Sequence, residues 1–170
     1  NDLSLKKIYD ILVIMSGPEP QRTIMEEMMI EQLKDLPMKS LIVRGVPEEN
    51  HTVKKISENL ETISFMTADE LNRTTIQSEI IISRSGYSTV MDIAVLGKKA
   101  IFIPTPGQTE QEHLAWEFRK KKIYFAEHQK KFNIKTALET IHEYSGLDIK
   151  QNLDEVIETR VKSLLSQIKN

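Results

Sequence analysis

Residues 79–105 read EIIISRSGYSTVMDIAVLGKKAIFIPT. The stretch opens and closes with short apolar runs rich in isoleucine, and a serine- and glycine-rich loop leads from the first run into apolar residues at helical spacing. Gly97 stands where such a helix would end. Nearly continuous apolar strands joined by a helix are typical of parallel strands buried on both faces of a sheet. The stretch therefore predicts a β-α-β unit.

The same alternation continues on both sides of this unit. Strands are predicted at residues 9–15, 40–46, 61–66, 79–83, 100–105 and 123–126. Helices are predicted at residues 20–36, 53–59, 68–77, 88–96, 110–122, 133–144 and 153–168. Right-handed crossovers then give a doubly wound, Rossmann-like α/β fold, with a parallel six-stranded sheet in the order 3-2-1-4-5-6 and helices on both faces.

Length and composition agree with a single globular domain over residues 1–170. The chain is 39% hydrophobic and 28% charged, and its net charge of −2 gives no reason to expect nucleic acid as a partner. No apolar run reaches the roughly 20 residues of a transmembrane helix, so no membrane-spanning segment is expected. The absence of cysteine suits a cytoplasmic protein. Since the chain starts at Asn1 rather than at methionine, we expect it to be part of a longer protein.

Ligands of doubly wound sheets bind at the carboxyl ends of the strands, where the strand order reverses. This rule points to residues 16–22 and 84–92. In the second segment, backbone N–H groups of a helix start meet Gly86 and the hydroxyls of Ser85, Ser88 and Thr89, an arrangement that can bind phosphate. Serine and threonine before a helix are also ordinary helix caps, so both interpretations remain open.

Two further groups of polar residues are predicted at the same edge. Asp92 lies one helical turn after Ser88, where its carboxylate can accept hydrogen bonds from ribose hydroxyls or stabilise the helix start through the helix dipole. Gln111 and Glu112 follow the fifth strand and can match sugar hydroxyls, although a solvated helix start has the same composition. The four histidines lack the spacing of metal ligands.

Residues 84–105, together with the helix that contains Gln111, resemble the donor-binding C-terminal domain of glycosyltransferase family 28. The resemblance covers nearly the whole chain. It implies one half of a GT-B fold and an enzyme that transfers a sugar from a UDP-sugar, such as UDP-N-acetylglucosamine, with inversion and with neither metal nor cofactor. The general base and the acceptor, in this family often lipid-linked, would belong to an N-terminal domain or to a partner chain. The protein would then be cytoplasmic or peripheral at the inner membrane surface.

The resemblance also implies the roles of individual residues. The diphosphate would contact Ser85, Gly86, Ser88, Thr89, Gly17 and Arg22, the ribose Asp92, the uracil edge the backbone of Met66, and the sugar Gln111 and Glu112. No catalytic residue is expected within this domain.

Three positions depart from the family pattern. The family has a longer acid at Asp92, often a glutamine at Glu112, and a first loop richer in glycine than Ser16-Gly17-Pro18-Glu19-Pro20. Proline donates no N–H, so phosphate binding is expected to depend mainly on residues 85–89. Two other functions remain open: the donor-binding subunit of a two-chain transferase and one half of a nucleotide-sugar epimerase.

Overall fold

The computed structural model describes residues 6–47 and 51–147. Their strands are β1 (Tyr9–Ile14), β2 (Ser40–Val43), β3 (Val53–Lys55), β4 (Leu60–Ile63), β5 (Ser78–Ser83), β6 (Lys99–Phe102) and β7 (Phe125–Ala126), which form one sheet in the order β3-β4-β2-β1-β5-β6-β7. The six strands other than β3 are parallel. Their order is the predicted 3-2-1-4-5-6, so the doubly wound α/β prediction is confirmed.

The prediction of a helix over residues 53–59 is wrong. Val53–Lys55 is instead an edge strand, β3, which pairs antiparallel with β4 and makes seven strands rather than six. The backbone N–H groups of Ile56 and Ser57 donate to the carbonyl of Leu60 and close a hairpin between the two strands. A segment this short cannot hold a helix alone, whereas the neighbouring strand offers backbone partners at once.

Helices cover both faces of the sheet. They are α1 (Gln21–Leu33), α2 (Ala68–Ile76), α3 (Tyr87–Val95), α4 (Thr109–Lys120) and α5 (Ile134–Thr140). Apolar residues of α1 and α5 pack on one face of the sheet, and those of α3 and α4 pack on the other. Successive side chains of β1 alternate between the two faces: Ile11 and Val13 pack on the face covered by α1 and α5, and Leu12 packs on the face covered by α3 and α4.

Two details of the helices differ from the prediction or extend it. The helix predicted over residues 133–144 ends at Thr140 and continues as a 3₁₀ turn, Ile141–Glu143. The helix predicted over residues 153–168 lies outside the described residues. Within residues 6–47 and 51–147, no helix is both long and apolar enough to cross a membrane.

Candidate functional site

The site is centred on the amino end of α3, which lacks a side-chain cap. Gly86 is its N-cap residue, and the first turn contains no acidic side chain. The neighbouring helix α2 differs, because Thr67 and Glu70 form a capping box in which each side chain accepts from the backbone N–H of the other residue. The first N–H groups of α3 have no partner within their own helix and bring the positive end of the helix dipole. This helix end is therefore suited to an anion.

Gly86 has no structural need to be glycine. Its φ of −67° is open to any residue, and a Cβ atom added to it would meet nothing within 4 Å. Gly45 differs, because its φ is +67° and an added Cβ would lie 2.8 Å from the Met15 carbonyl oxygen. The free space beside Gly86 leaves room for a ligand to approach the main chain closely.

Ser85, Ser88 and Thr89 are placed differently at this helix end. Ser85 is buried, and its hydroxyl donates to the backbone carbonyl of Gln111 over 2.8 Å, which ties the loop after β5 to the first turn of α4. Ser88 is exposed and Thr89 is half-buried. The hydroxyl proton of Ser85 thus has an acceptor already, and its contact with a phosphate stays a prediction.

A cleft of about 470 Å³ opens on the α4 side of this helix end and is called the first cleft. Its lining comprises Ser85, Gly86, Tyr87, Gly107, Gln108, Thr109, Glu110, Gln111 and Leu114. The Gln111 side chain accepts from the Thr105 N–H over 3.0 Å and donates to the Gln108 side chain. Glu112 accepts from the Gly107 N–H over 3.3 Å. The two predicted sugar residues therefore shape the loop that forms one wall of the cleft.

A second cleft, of about 400 Å³, lies between α2 and α3. Thr89 and Asp92 line it from α3, and Asp69 and Asn72 line it from α2. Asp92 is exposed and lies beyond the first turn of α3. Because the helix dipole acts most strongly within the first turn, stabilisation of the helix start is a weaker explanation for this acid. Met66 stands just before α2, and its side chain packs against the core on this face.

Gly17, in the loop after β1, lies near the site, whereas the side chain of Arg22, at the start of α1, is bonded to other groups. Gly17 has a φ of +98°, and a Cβ atom there would lie 3.4 Å from the Thr105 hydroxyl, so this loop approaches the loop after β6. The Arg22 guanidinium pairs with Glu19 and, over 3.1 Å, with Glu26. It also donates to the backbone carbonyl of Arg44. A phosphate contact of Arg22 stays a prediction and would have to compete with these bonds.

Arg84 is a residue that sequence reasoning missed. Its side chain is fully buried, and its guanidinium donates to the carbonyls of Ile103, Pro104 and Gln21 over 2.9 to 3.2 Å. Burial lowers the pKa of Arg84 to about 10. A lone arginine between two serines in a loop gives no sign of burial, because its acceptors are backbone carbonyls from segments distant in the sequence.

Metal ligands are not gathered in the described part of the chain: residues 6–47 and 51–147 contain no group of three histidine, aspartate or glutamate side chains that could hold an ion. The acidic side chains at the site are instead split between the two clefts, with Glu110 in the first and Asp69 and Asp92 in the second. The described residues of the site offer hydrogen-bonding groups and the field of a helix end.

Comparison with known sequences places residues 11–167 in the family described as "Glycosyltransferase family 28 C-terminal domain". A protein of Flavobacterium psychrophilum named UDP-N-acetylglucosamine--N-acetylmuramyl-(pentapeptide) pyrophosphoryl-undecaprenol N-acetylglucosamine transferase is 42% identical over 53 residues, which are 31% of this chain and 14% of that protein. A protein of the same name from Cytophaga hutchinsonii is 28% identical over 108 residues, 62% of this chain and 29% of the relative. The chain thus matches less than a third of either relative's length.

Solved structures with a similar fold include MurG of Acinetobacter baumannii, with a TM-score of 0.61 and 17% identity over 85% of this chain and 45% of that one. Spinosyn rhamnosyltransferase SpnG complexed with thymidine diphosphate gives 0.59 and 16%, over 84% and 40%. The solution structure of ALG13 gives 0.58 and 12%, over 87% of this chain and 93% of that one. These likenesses confirm the predicted fold, the Rossmann-like half of a GT-B protein.

Proposed function

The chain belongs to the glycosyltransferase family 28 C-terminal domains, and from this we propose that it is the donor-binding part of a transferase that takes its sugar from a UDP-sugar. The observation that carries the proposal is the uncapped amino end of α3, which lies between two clefts beside an unobstructed glycine. Both clefts have the size of ordinary small-molecule sites.

The two clefts give the donor a direction. Its nucleoside occupies the second cleft, with the ribose at Asp92. The base lies near the backbone of Met66, just before α2. Its diphosphate crosses the helix end at Gly86, Ser88 and Thr89, and its sugar enters the first cleft beside Gln111. This order supports the proposal because the diphosphate stands between nucleoside and sugar in the donor, as the helix end stands between the clefts.

Catalysis by this domain is electrostatic. When the bond between the sugar and the diphosphate breaks, negative charge grows on the phosphate oxygens of the departing UDP. N–H groups and a helix dipole already aimed at those oxygens stabilise the transition state without having to reorganise. The acceptor oxygen attacks from the opposite side of the sugar, which inverts its configuration. The base that removes the acceptor proton belongs to a domain or chain outside these residues, and no metal takes part.

The acceptor partner is proposed from the relatives alone. Their names describe transfer to a pyrophosphoryl-undecaprenol derivative, and this chain would then act on a lipid-linked acceptor at the inner membrane surface. Lys120, Lys121 and Lys122 at the end of α4 are exposed and could face such a surface.

A second arrangement is a two-chain transferase in which this chain is the donor-binding subunit. The ALG13 structure supports this second arrangement, because the matched fold covers nearly all of the ALG13 chain and therefore occurs there as a chain of its own.

Calorimetric titration with UDP, ADP and UDP-N-acetylglucosamine, each with and without a chelator, tests the proposal. We expect the chelator to leave the affinities of UDP and of the UDP-sugar unchanged. We also expect ADP to bind more weakly than UDP. Equal binding of ADP and UDP, or binding that requires a divalent metal, would contradict it. Product analysis after incubation with UDP-N-acetylglucosamine alone separates a transferase from an epimerase, since only the epimerase yields a new sugar without an acceptor.

A further inference from the structure

Arg84 is a buried cation without an acidic partner among residues 6–47 and 51–147. Its side chain is 1% exposed. Its two terminal nitrogens donate to three backbone carbonyls, those of Ile103 at 3.0 Å, Pro104 at 3.2 Å and Gln21 at 2.9 Å. Its Nε is buried and has no acceptor. Glu26, the other charged side chain that is buried in the described chain, is balanced differently, because it pairs with both Arg22 and Arg44.

A buried charge of this kind costs stability. Carbonyl dipoles replace part of the lost hydration, but they bring no opposite charge, and an uncompensated buried ion is strongly destabilising. The lowered pKa of Arg84, about 10, reflects this cost, and the guanidinium still carries its charge at neutral pH. Such a cost is offset when a ligand supplies the missing negative charge.

The position of the charge is that of the candidate site. Arg84 directly follows β5 and precedes Gly86 by two residues. Ile103 and Pro104 directly follow β6, and Gln21 is the first residue of α1. The guanidinium therefore lies at the carboxyl edge of the sheet, where the ends of β5 and β6 meet the start of α1. The backbone of Arg84 leads within two residues to the uncapped end of α3.

We propose that Arg84 is a positioning residue whose buried charge balances the diphosphate of the bound nucleotide. The same guanidinium holds the loops after β5 and β6 against the start of α1, so it fixes both the shape and the potential of the diphosphate site. This inference rests on the proposed function, since it needs a diphosphate at the end of α3. A through-space charge effect grows with the charge of the ligand, so it is largest for UDP, smaller for UMP and absent for uridine.

Titrations of the 170-residue chain with uridine, UMP and UDP test the proposal, using the unmodified protein, Arg84→Met, Arg84→Lys and Lys98→Met. Lys98→Met is the matched control. Lys98 also donates to backbone carbonyls, those of Ile76 and Ser78, and burial lowers its pKa, but it lies next to β6 at the opposite, amino edge of the sheet.

We expect Arg84→Met to weaken UDP at least about tenfold more than uridine, with UMP in between. Arg84→Lys keeps the charge but loses the forked geometry, so it should weaken binding while leaving the UDP-to-uridine ratio within about threefold of the unmodified protein. Lys98→Met should leave all three affinities unchanged, whatever it does to the melting temperature.

An equal loss of uridine and UDP affinity in Arg84→Met would overturn the inference, because Arg84 would then only hold the loops together. If Arg84→Met does not fold, Arg84→Lys decides: a folded lysine variant that has lost its preference for UDP over uridine also overturns it. Failure of the unmodified protein to bind UDP has a different meaning, since it overturns the proposed function and the role of Arg84 with it.

Discussion

Gly86 and Gly97 stand at the two ends of α3 and give opposite predictions. Gly86 has a φ of −67° and Gly97 one of +61°, and an added Cβ would meet nothing within 4 Å at either position. Only Gly97 has a backbone conformation that penalises a side chain. Only Gly86 lies where the diphosphate is proposed to bind. The substitutions Gly86→Val and Gly97→Ala therefore separate a ligand-binding role from a structural one.

The magnitudes follow from these conformations. A side chain at Gly97 must adopt the left-handed region, which costs about 1 to 2 kcal/mol and lowers the melting temperature by roughly 2 to 8 °C. In Gly86→Val, valine is a poorer N-cap residue than glycine, but it also reduces the conformational freedom of the unfolded chain. Because these two effects oppose each other, the free energy of unfolding should change by less than about 1 kcal/mol. If valine displaces the phosphate from even one charged hydrogen bond of about 1.5 to 3 kcal/mol, UDP binding weakens by roughly 10- to 150-fold.

Thermal melting and calorimetric titration with UDP, applied to both variants, give the measurement. We expect Gly86→Val to melt like the unmodified protein and lose UDP, and Gly97→Ala to melt earlier and bind UDP normally. A Gly86→Val variant that melts earlier than Gly97→Ala and still binds UDP with unchanged affinity would refute the ligand-binding role of Gly86, which would then be a structural turn residue.

Three further predictions concern the ribose, a buried ion cluster and the reach of this domain. Asp92→Asn should weaken UDP by about 1.5 to 3 kcal/mol and reduce its advantage over 2'-deoxy-UDP in titrations; a lower melting temperature with both affinities unchanged would make Asp92 a structural acid. Glu26→Ala removes the carboxylate between Arg22 and Arg44, and it should cost about 2 kcal/mol of stability in denaturant unfolding, whereas a loss below about 0.5 kcal/mol would mean that solvent screens the cluster. This chain by itself should transfer no sugar to an added acceptor; turnover measured with a purified acceptor would mean that an acceptor site and a base lie within these residues.

The amino-acid sequence by itself determined the class of fold. Apolar runs such as Ile80–Ile82 are typical of central parallel strands buried on both faces, and helices between them give the right-handed crossovers of a doubly wound sheet, for which 3-2-1-4-5-6 is a common strand order. The position of Gly86 at the start of a helix followed from the same pattern. These features are local, because each depends on residues within about one helix or strand of each other.

Only the tertiary structure decided how the residues of the site are used. The hairpin that replaces the predicted helix at residues 53–59 depends on backbone groups of β4, which no local pattern contains. Ser85 meets Gln111, and Arg22 meets the backbone carbonyl of Arg44, through packing between distant segments. In the sequence, Arg84 has the features of an ordinary polar loop residue, whereas in the structure it is buried and donates to three carbonyls from two other segments. Burial and hydrogen-bond partners are properties of the packed chain, because they depend on which surfaces meet when the sheet and its helices close.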